Sequence, residues 1–366
     1  MGAPRVDVAI VSAGHDVADA RLHKISAALQ RAGLSVELAG LGEAAGGPAG
    51  VRVRTTQRGG MARRAVRAAV LPWRSRARVL MTVDPDVVPM ARAAASVRGC
   101  KVVVDIHEDY ARLLSDRSWA RGLIGIGARM IVHASTRLAA GADVTVVADD
   151  HIPPHQARRR LVVENLPDLQ LLSPGPPDAT PRAVYIGDLR ASRGLFDMVD
   201  AVAAAPAWTL DLIGPVAAAD RDELSARLIR PDVAGRVVLH GRQPPERAWQ
   251  IARGAWAGLV FLRETPAFRE AMPTKLYEYL ASGLPVLSTP LPRQTSVIKE
   301  SGGGVLIAGP AEAAEVLRRW SESPEDLEGY RKAAREWTER KLSERTPYDL
   351  LAETIAEILA PRAATP

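Results

Sequence analysis

Short β-branched runs that end in a glycine turn and pass into an amphipathic helix recur along this chain, and that repetition leaves few folds open. The first is Val6 to Val11, which alternates into a buried strand and leaves it through Ser12-Ala13-Gly14-His15. A helix from about Asp19 to Arg31 follows, with Leu22, Ile25, Ala28 and Leu29 as its inward stripe and Gly33 at its close. Ser35 to Ala39 is the next strand. Strand, glycine turn, helix, strand opens a parallel sheet, and ligands of such sheets lie at the carboxyl ends of the strands. Gly14 and His15 are therefore expected at a site edge. The turn lacks the full dinucleotide glycine pattern and is not read as a cofactor fingerprint.

The pattern continues with Val79 to Val83, a strand ending in Asp84-Pro85-Asp86. Two aspartates at that spacing look like a metal motif, but Pro85 turns the chain straight into a helix over Val88–Val97, so the segment reads as a structural corner. Lys101 to Ile106 is a further strand with His107-Glu108-Asp109 at its carboxyl end. A histidine there serves either as a satisfied polar group or in chemistry, and spacing does not choose. Helices fill Ser118–Ala140, Val144–Val147 is a strand, and Leu161–Asn165 closes a first domain, 1–166. Residues 167–182 are dense in Pro, Gly, Asp and Ser without sustained periodicity, which marks a linker at which a cleft should open.

A second domain, 183–346, then repeats the scheme. Ala183–Ile186 is a strand, followed by Gly187-Asp188-Leu189-Arg190-Ala191-Ser192-Arg193-Gly194 and a helix to about Ala205. Two arginines on a glycine turn make a diphosphate clamp, because guanidinium binds phosphate oxygens in pairs. Thr209–Ile213 with Gly214, Val237–His240 with Gly241, helix Pro245–Arg253 and strand Leu259–Leu262 complete the repeat. Ser301–Ile307 is rich in glycine but lacks a following Lys-Ser/Thr, so it is structural. Helices at Ala311–Glu322 and Pro324–Leu342 follow, and a last helix, Pro347–Leu359, lies within 347–366.

Bulk properties bound the partners. At 366 residues there is room for two cores, and with only 4% aromatic residues they must be built from aliphatic side chains and Ala. A single cysteine, Cys100, excludes an internal disulfide and a multi-cysteine metal site; just before a strand, it reads as a small buried apolar residue. The amino terminus has no charged segment ahead of a long apolar run, and no run approaches membrane-span length, so a cytoplasmic protein is expected. Net charge is +6, yet basic and aromatic residues are not interleaved, which argues against nucleic acid. Nine arginines fall between Arg52 and Arg78. Ala62–Leu71 within that stretch is expected to be helical, with Met61, Ala65, Ala69 and Leu71 on one side and arginines on the other. That is either a solvated face or a patch for an anionic membrane surface, which would make the protein peripheral on the inner face of the plasma membrane.

The stretch 270–291, EAMPTKLYEYLASGLPVLSTPL, carries the most chemistry. Glu270 and Glu278 stand eight apart, with Pro273, Thr274 and Lys275 between them. Thr274 to Ala281 has helical spacing, Leu276 and Leu280 share one face with Glu278 off it, and Gly283 ends the helix before the strand Val286–Thr289. A helix start with an added lysine suits phosphate, and the two carboxylates suit hydroxyls of the same ligand. This stretch resembles the signature of the family 4 glycosyltransferases, retaining enzymes of the GT-B fold. Glu270 and Glu278 match their E-x7-E motif, and Pro273–Tyr279 matches the P-T-K-L-x-E-Y form of one branch. Asp19-Ala20-Arg21 with Lys24 is similar to the family's D-x-R-x-x-K opening, Val104–Glu108 to its V-D-x-H-E segment, and Val163–Pro167 to the corner that ends its first half.

The resemblance implies two doubly wound Rossmann-like domains facing a cleft, an acceptor-side one and a donor-binding one, with the last helix crossing back to the first. It implies a retaining transfer from a nucleotide-sugar donor to a glycan or lipid-linked acceptor, with no metal and no bound cofactor. Arg193, Arg190, Lys275 and the backbone at Thr274, Leu276 and Gly187 would hold the donor diphosphate. Glu278 would take ribose hydroxyls, Glu270 the sugar hydroxyls, and His107 with the Gly14 backbone would approach from the first domain. The family pattern G-R-x-x-x-x-K-G is met with Asp188 in the Arg position and Arg193 in the Lys position, a departure that makes Arg190 a substitute. A non-hydrolysing sugar-nucleotide 2-epimerase, which shares the architecture, and a non-catalytic nucleotide-sugar-binding protein are the alternatives.

Overall fold

The computed structural model describes residues 6–115, 122–172, 174–265, 268–269, 274–342 and 345–360. The chain divides into two compact units, 1–165 with 345–366, and 166–344. In the first unit the elements are β1 (Val6–Asp16), α1 (Ala20–Arg31), β2 (Val36–Leu41), β3 (Arg52–Thr56), α2 (Met61–Arg74), β4 (Ala77–Thr82), α3 (Val88–Arg98), β5 (Lys101–Ile106), α4 (Tyr110–Ser115), α5 (Gly122–Ala140), β6 (Val144–Val147) and β7 (Arg160–Val162). The second unit holds β8 (Arg182–Ile186), α6 (Leu195–Ala203), β9 (Thr209–Ile213), α7 (Arg221–Leu228), β10 (Val237–Gly241), α8 (Pro245–Ala252), β11 (Ala257–Val260), α9 (Thr274–Ala281), β12 (Val286–Ser288), α10 (Pro292–Ser301), β13 (Gly304–Leu306), α11 (Pro310–Glu322) and α12 (Pro324–Lys341). The last helix, α13 (Pro347–Leu359), belongs to the first unit.

The first sheet is seven-stranded in the order β3-β2-β1-β4-β5-β6-β7, and every pairing is parallel. Its inner strands are apolar at nearly every position because both faces are covered. On one face Val8, Ile10, Val79, Met81 and Val103 meet Leu22, Ile25 and Leu29 of α1 and Tyr348, Leu351 and Ile355 of α13. On the other, Ala9, Leu80, Val102 and Val104 meet Val88, Ala94 and Ala95 of α3. The second sheet has six parallel strands, β10-β9-β8-β11-β12-β13. Tyr185, Leu210 and Leu259 pack there on α6 and on Trp320 of α11, while Val184, Val260 and Val286 pack on Trp249, Leu276, Tyr279 and Trp337. Both sheets are thus doubly wound.

Several expectations are corrected. The Ser12–His15 turn is instead the irregular extended end of β1, whose register on β2 shifts between Val11 and Asp16. The stretch 167–182 is packed onto the second unit: the Asp178 N–H donates to Gly254 O at 2.8 Å, and the Trp256 indole N–H donates to Asp178 O at 2.8 Å. Cys100 is half-buried at the margin of the first core. The α2 face is rotated from the expected one. Ala68 and Pro72 are buried, Arg64 and Arg67 lie on the inward side, and Met61, Ala65 and Ala69 are exposed. Arg64 and Arg67 find acceptors at the ends of β1 and β4, which a count of apolar positions does not register.

Candidate functional site

In the second unit the strand ends of β8 and β9 lie against one another. Gly187 and Gly214 both have φ 152°, and a Cβ on Gly214 would overlap the Gly187 carbonyl, so this corner admits only a bare backbone. The chain then runs through a 3₁₀ turn, Ala191–Arg193, before Gly194 at φ 76° opens α6. The two arginines therefore sit on the turn, one residue and more ahead of the helix. The Arg190 Nη2 donates to Asp188 Oδ2 at 2.7 Å, and Arg242 lies 3.9 Å from the other Asp188 oxygen. The Asp188 carboxylate thus gathers two arginines around it. Arg193 places its guanidinium 5.5 Å over the Phe268 ring. Asp220 Oδ2 accepts the Ala191 N–H at 3.1 Å and holds the turn.

Helix α9 supplies the other part. Leu276, Tyr279 and Leu280 are its buried stripe, and the Tyr279 hydroxyl accepts the Ile186 N–H at 2.9 Å, tying α9 to the end of β8. Burial, outweighing the Ile186 bond and reinforced by the nearby Glu278 charge, pushes the Tyr279 phenol well above its ordinary value. Glu278 is 2% exposed, which corrects the expectation that it lies off the buried face. It is accommodated by Lys275, whose Nζ donates to Glu278 Oε2 at 2.6 Å and lies 6.0 Å over the Trp249 ring. Carboxylate and ammonium on successive turns of one helix offer acceptors to hydroxyls and a cation to phosphate. Thr274 is the first residue of α9; Glu270 and Pro273 lie outside the described residues.

In the first unit one carboxylate organises the carboxyl edge of the sheet. Asp84 Oδ2 accepts Ser12 Oγ at 2.5 Å, the Ala13 N–H at 2.8 Å and the Gly14 N–H at 3.1 Å. Asp84 Oδ1 faces His15 Nδ1 at 3.0 Å and Arg64 Nη2 at 3.4 Å. Burial would raise Asp84, but the His15 bond and charge, Ser12 and Arg64 outweigh it and hold the carboxyl well below its usual range. Burial likewise works against the His15 imidazolium, yet Asp84 outweighs it and raises His15 to about 9. His107, at the end of β5, is lowered by burial and then by the His15 charge. Its ring lies 5.1 Å from His15 and 6.0 Å from Tyr110, edge-on to both. Asp86 binds Arg64 in two bonds of 2.7 and 2.9 Å, so both aspartates of the Asp84-Pro85-Asp86 corner are committed to side chains. Among the described residues no cluster of three or more His, Cys, Asp or Glu is placed to hold a metal.

The sequence-predicted residues thus fall into local sets. His107 is brought to the β1 end that carries Gly14, although the Gly14 N–H itself is given to Asp84. Arg190 pairs with Asp188, and Lys275 pairs with Glu278. Sequence reasoning did not find Arg242, or Asp84 as a hub. The only signal for Asp84 was its position at a strand end, because its partners lie about 70 residues away. Arg21, from the D-x-R-x-x-K opening, points inward. It makes two bonds to Asp105 at 2.7 and 2.8 Å and reaches the Tyr348 hydroxyl at 3.3 Å.

Residues 173–337, which fall within the second unit, match the family model described as glycosyl transferases group 1. Over the whole chain the structure is similar to that of HepE from Anabaena crystallised with UDP and glucose, at 15% identity and TM-score 0.68, covering 97% of this chain and 99% of that one. It is also similar to a sucrose-phosphate synthase from Thermosynechococcus elongatus, at 16% identity and TM-score 0.67, covering 97% and 98%. A third is WaaG, a glycosyltransferase involved in lipopolysaccharide biosynthesis, at 15% identity and TM-score 0.64, covering 95% and 99%. A search of curated proteins found no match. The likeness over both units is that of the GT-B fold.

Proposed function

We propose that this chain is a glycosyltransferase of the family 4 type, moving a sugar from a nucleotide-diphosphate donor to a glycan or lipid-linked acceptor with retention of configuration. The observation that carries the reading is α9, where the buried Glu278 is paired to Lys275 inside the segment that matches glycosyl transferases group 1. HepE, a structural relative, was also crystallised with UDP-glucose, which supports a nucleotide-sugar donor.

In this reading Arg193, Arg190, Lys275 and the backbone at Gly187, Thr274 and Leu276 hold the diphosphate. Glu278 accepts the ribose hydroxyls and Glu270 the sugar hydroxyls, while the first unit contributes His107 and the β1 end at Gly14. The acceptor oxygen forms its bond to the anomeric carbon as the bond to the donor phosphate breaks, and the acceptor proton passes to a phosphate oxygen on the same side. The departing diphosphate is strongly anionic, so guanidinium, ammonium and the α9 start provide the stabilisation and no metal is required. The reading extends to place. Helix α2 exposes Met61, Val66 and Trp73 beside arginines, a combination suited to an anionic lipid surface bearing a lipid-linked acceptor.

The test is thermal stabilisation by UDP, GDP, ADP and TDP of the wild type, Glu278→Gln and Arg193→Ala. A ligand at a hundredfold excess over its dissociation constant stabilises the folded state by about 2.7 kcal/mol. One nucleotide is expected to protect the wild type, with the protection lost or much reduced in both variants. Protection of the variants equal to wild type would sink the donor-site assignment. Absence of protection by any nucleotide would favour a degenerate binding protein, in which the Asp188–Arg190 pair is a disabled clamp.

A further inference from the structure

Three consecutive residues at the end of β1 grip one carboxylate. Asp84 takes Ser12 Oγ, the Ala13 N–H and the Gly14 N–H on one oxygen and has a side-chain exposure of 1%, so it cannot turn away from His15 on the other. His15 is in turn fixed through Nδ1, at 3.0 Å from Asp84 and 3.4 Å from Ser12 Oγ, and its side chain is 25% exposed. The His107 ring is confined between two edges, His15 at 67° and Tyr110 at 83°, and Tyr110 is itself anchored by its hydroxyl, which donates to Val83 O at 2.9 Å. Two imidazoles in contact cannot both ionise freely, and among the described residues only His15 of the two is hydrogen-bonded to a carboxylate.

We infer that His15 is a positioning residue for His107: anchored on Asp84, it carries the charge of the histidine pair and keeps His107 a neutral imidazole set edge-on at the carboxyl end of the first sheet. The surrounding groups agree. His15 faces Asp84, Asp19 and Glu108, all of which favour its charge. His107 faces His15 and Arg21, which oppose a charge, and Asp105, Glu108 and Asp19, which favour one; burial adds to the opposition. Arg64, the other cation near Asp84, is occupied by Asp86. This inference rests on reading the site as a glycosyl-transfer centre. There, positive charge develops on the sugar ring as the bond to the leaving group breaks. A cationic His107 would oppose that charge, whereas a neutral ring can exchange a hydrogen bond with a sugar hydroxyl.

The experiment is an NMR titration of the imidazole signals of the full chain, with the seven histidines assigned by substitution. In the wild type, His15 is expected to titrate near 9 and His107 below the ordinary histidine range. In His15→Asn, whose amide can still donate to Asp84, the His107 midpoint should rise toward the ordinary range. A wild type in which His107 titrates above His15 overturns the inference, as does a His107 midpoint that His15→Asn leaves unmoved. The wild-type titration decides the matter even if the variant fails to fold. Because the readout needs no substrate, it is separable from the functional reading. That reading fails instead if His107→Gln transfers sugar at the wild-type rate.

Discussion

At the residue scale, Asp84 and His15 bind protons differently in the folded and unfolded chain, and stability must follow pH accordingly. His15 is raised in the fold from about 6.5 to about 9. Its contribution is therefore complete below the unfolded value and is lost as pH rises through the folded one. Asp84 is lowered, so its contribution is present above the ordinary carboxylate range and lost as pH falls into strong acid. The difference in melting temperature between wild type and His15→Asn should accordingly be largest near pH 5.5 to 6.5 and shrink as pH rises through about 9. A difference that stays constant across that range would mean the pair is not charged in the fold. Glu278 teaches the same lesson about residues. Its position in the motif is visible in the sequence, but its burial is not, because Lys275 supplies the compensating charge from one turn away.

At the element scale, α2 is the helix whose type was legible and whose face was not. Ala62, Ala65, Val66, Ala69 and Trp73 are spaced along one helical side and are all exposed, with Met61 at the start and exposed Arg58, Arg63, Arg74 and Arg76 around them. The inward side is spent on Arg64 and Arg67, which bind Asp86 and Ala13 O. Sedimentation with vesicles tests the membrane reading: wild type should pellet with phosphatidylglycerol-containing vesicles at low salt and not with phosphatidylcholine alone. Val66→Glu should lose most of that binding at unchanged melting temperature. A wild type that stays in the supernatant in both cases removes the membrane reading. The edge strand β3, with its arginines alternating around Val53, and helix α7, with Leu224 as its one buried residue, escaped prediction because they bury too little apolar surface to leave a pattern. The inner strands and α9 were legible for the opposite reason.

At the scale of the whole molecule, the first unit is finished by the last helix of the chain. Tyr348, Leu351, Ala352 and Ile355 of α13 are buried in the core that β1 and α1 begin, and the Tyr348 hydroxyl donates to Asn165 Oδ1 at 2.7 Å. Arg31 and Asp349 pair at 2.7 Å on the rim of that contact. Removing residues 345–366 would expose the partners of three large side chains, each worth about 1.5–3 kcal/mol, against a domain stability of about 5–15 kcal/mol. Limited proteolysis of the truncated protein should therefore digest the first unit while a fragment near 166–344 resists. A truncated chain whose first unit stays as resistant as in the full protein would contradict this account.

The repeating strand and helix pattern determined by itself that the chain forms two doubly wound parallel sheets, because strands covered on both faces must be apolar throughout. It also placed His107 and Arg193 beyond the carboxyl ends of their strands and Lys275 at a helix start, since that follows from counting along each strand and helix. What tertiary structure alone decided is who partners whom. Asp84 with Ser12 and His15, Arg21 with Asp105 and Tyr348, and Asp188 with Arg242 join residues about 50 to 330 positions apart. Where a partner is buried, as Asp84 and Arg21 are, burial turns such a meeting into a fixed charge state, and no local pattern records an interaction whose strength depends on the low dielectric that both partners help to create.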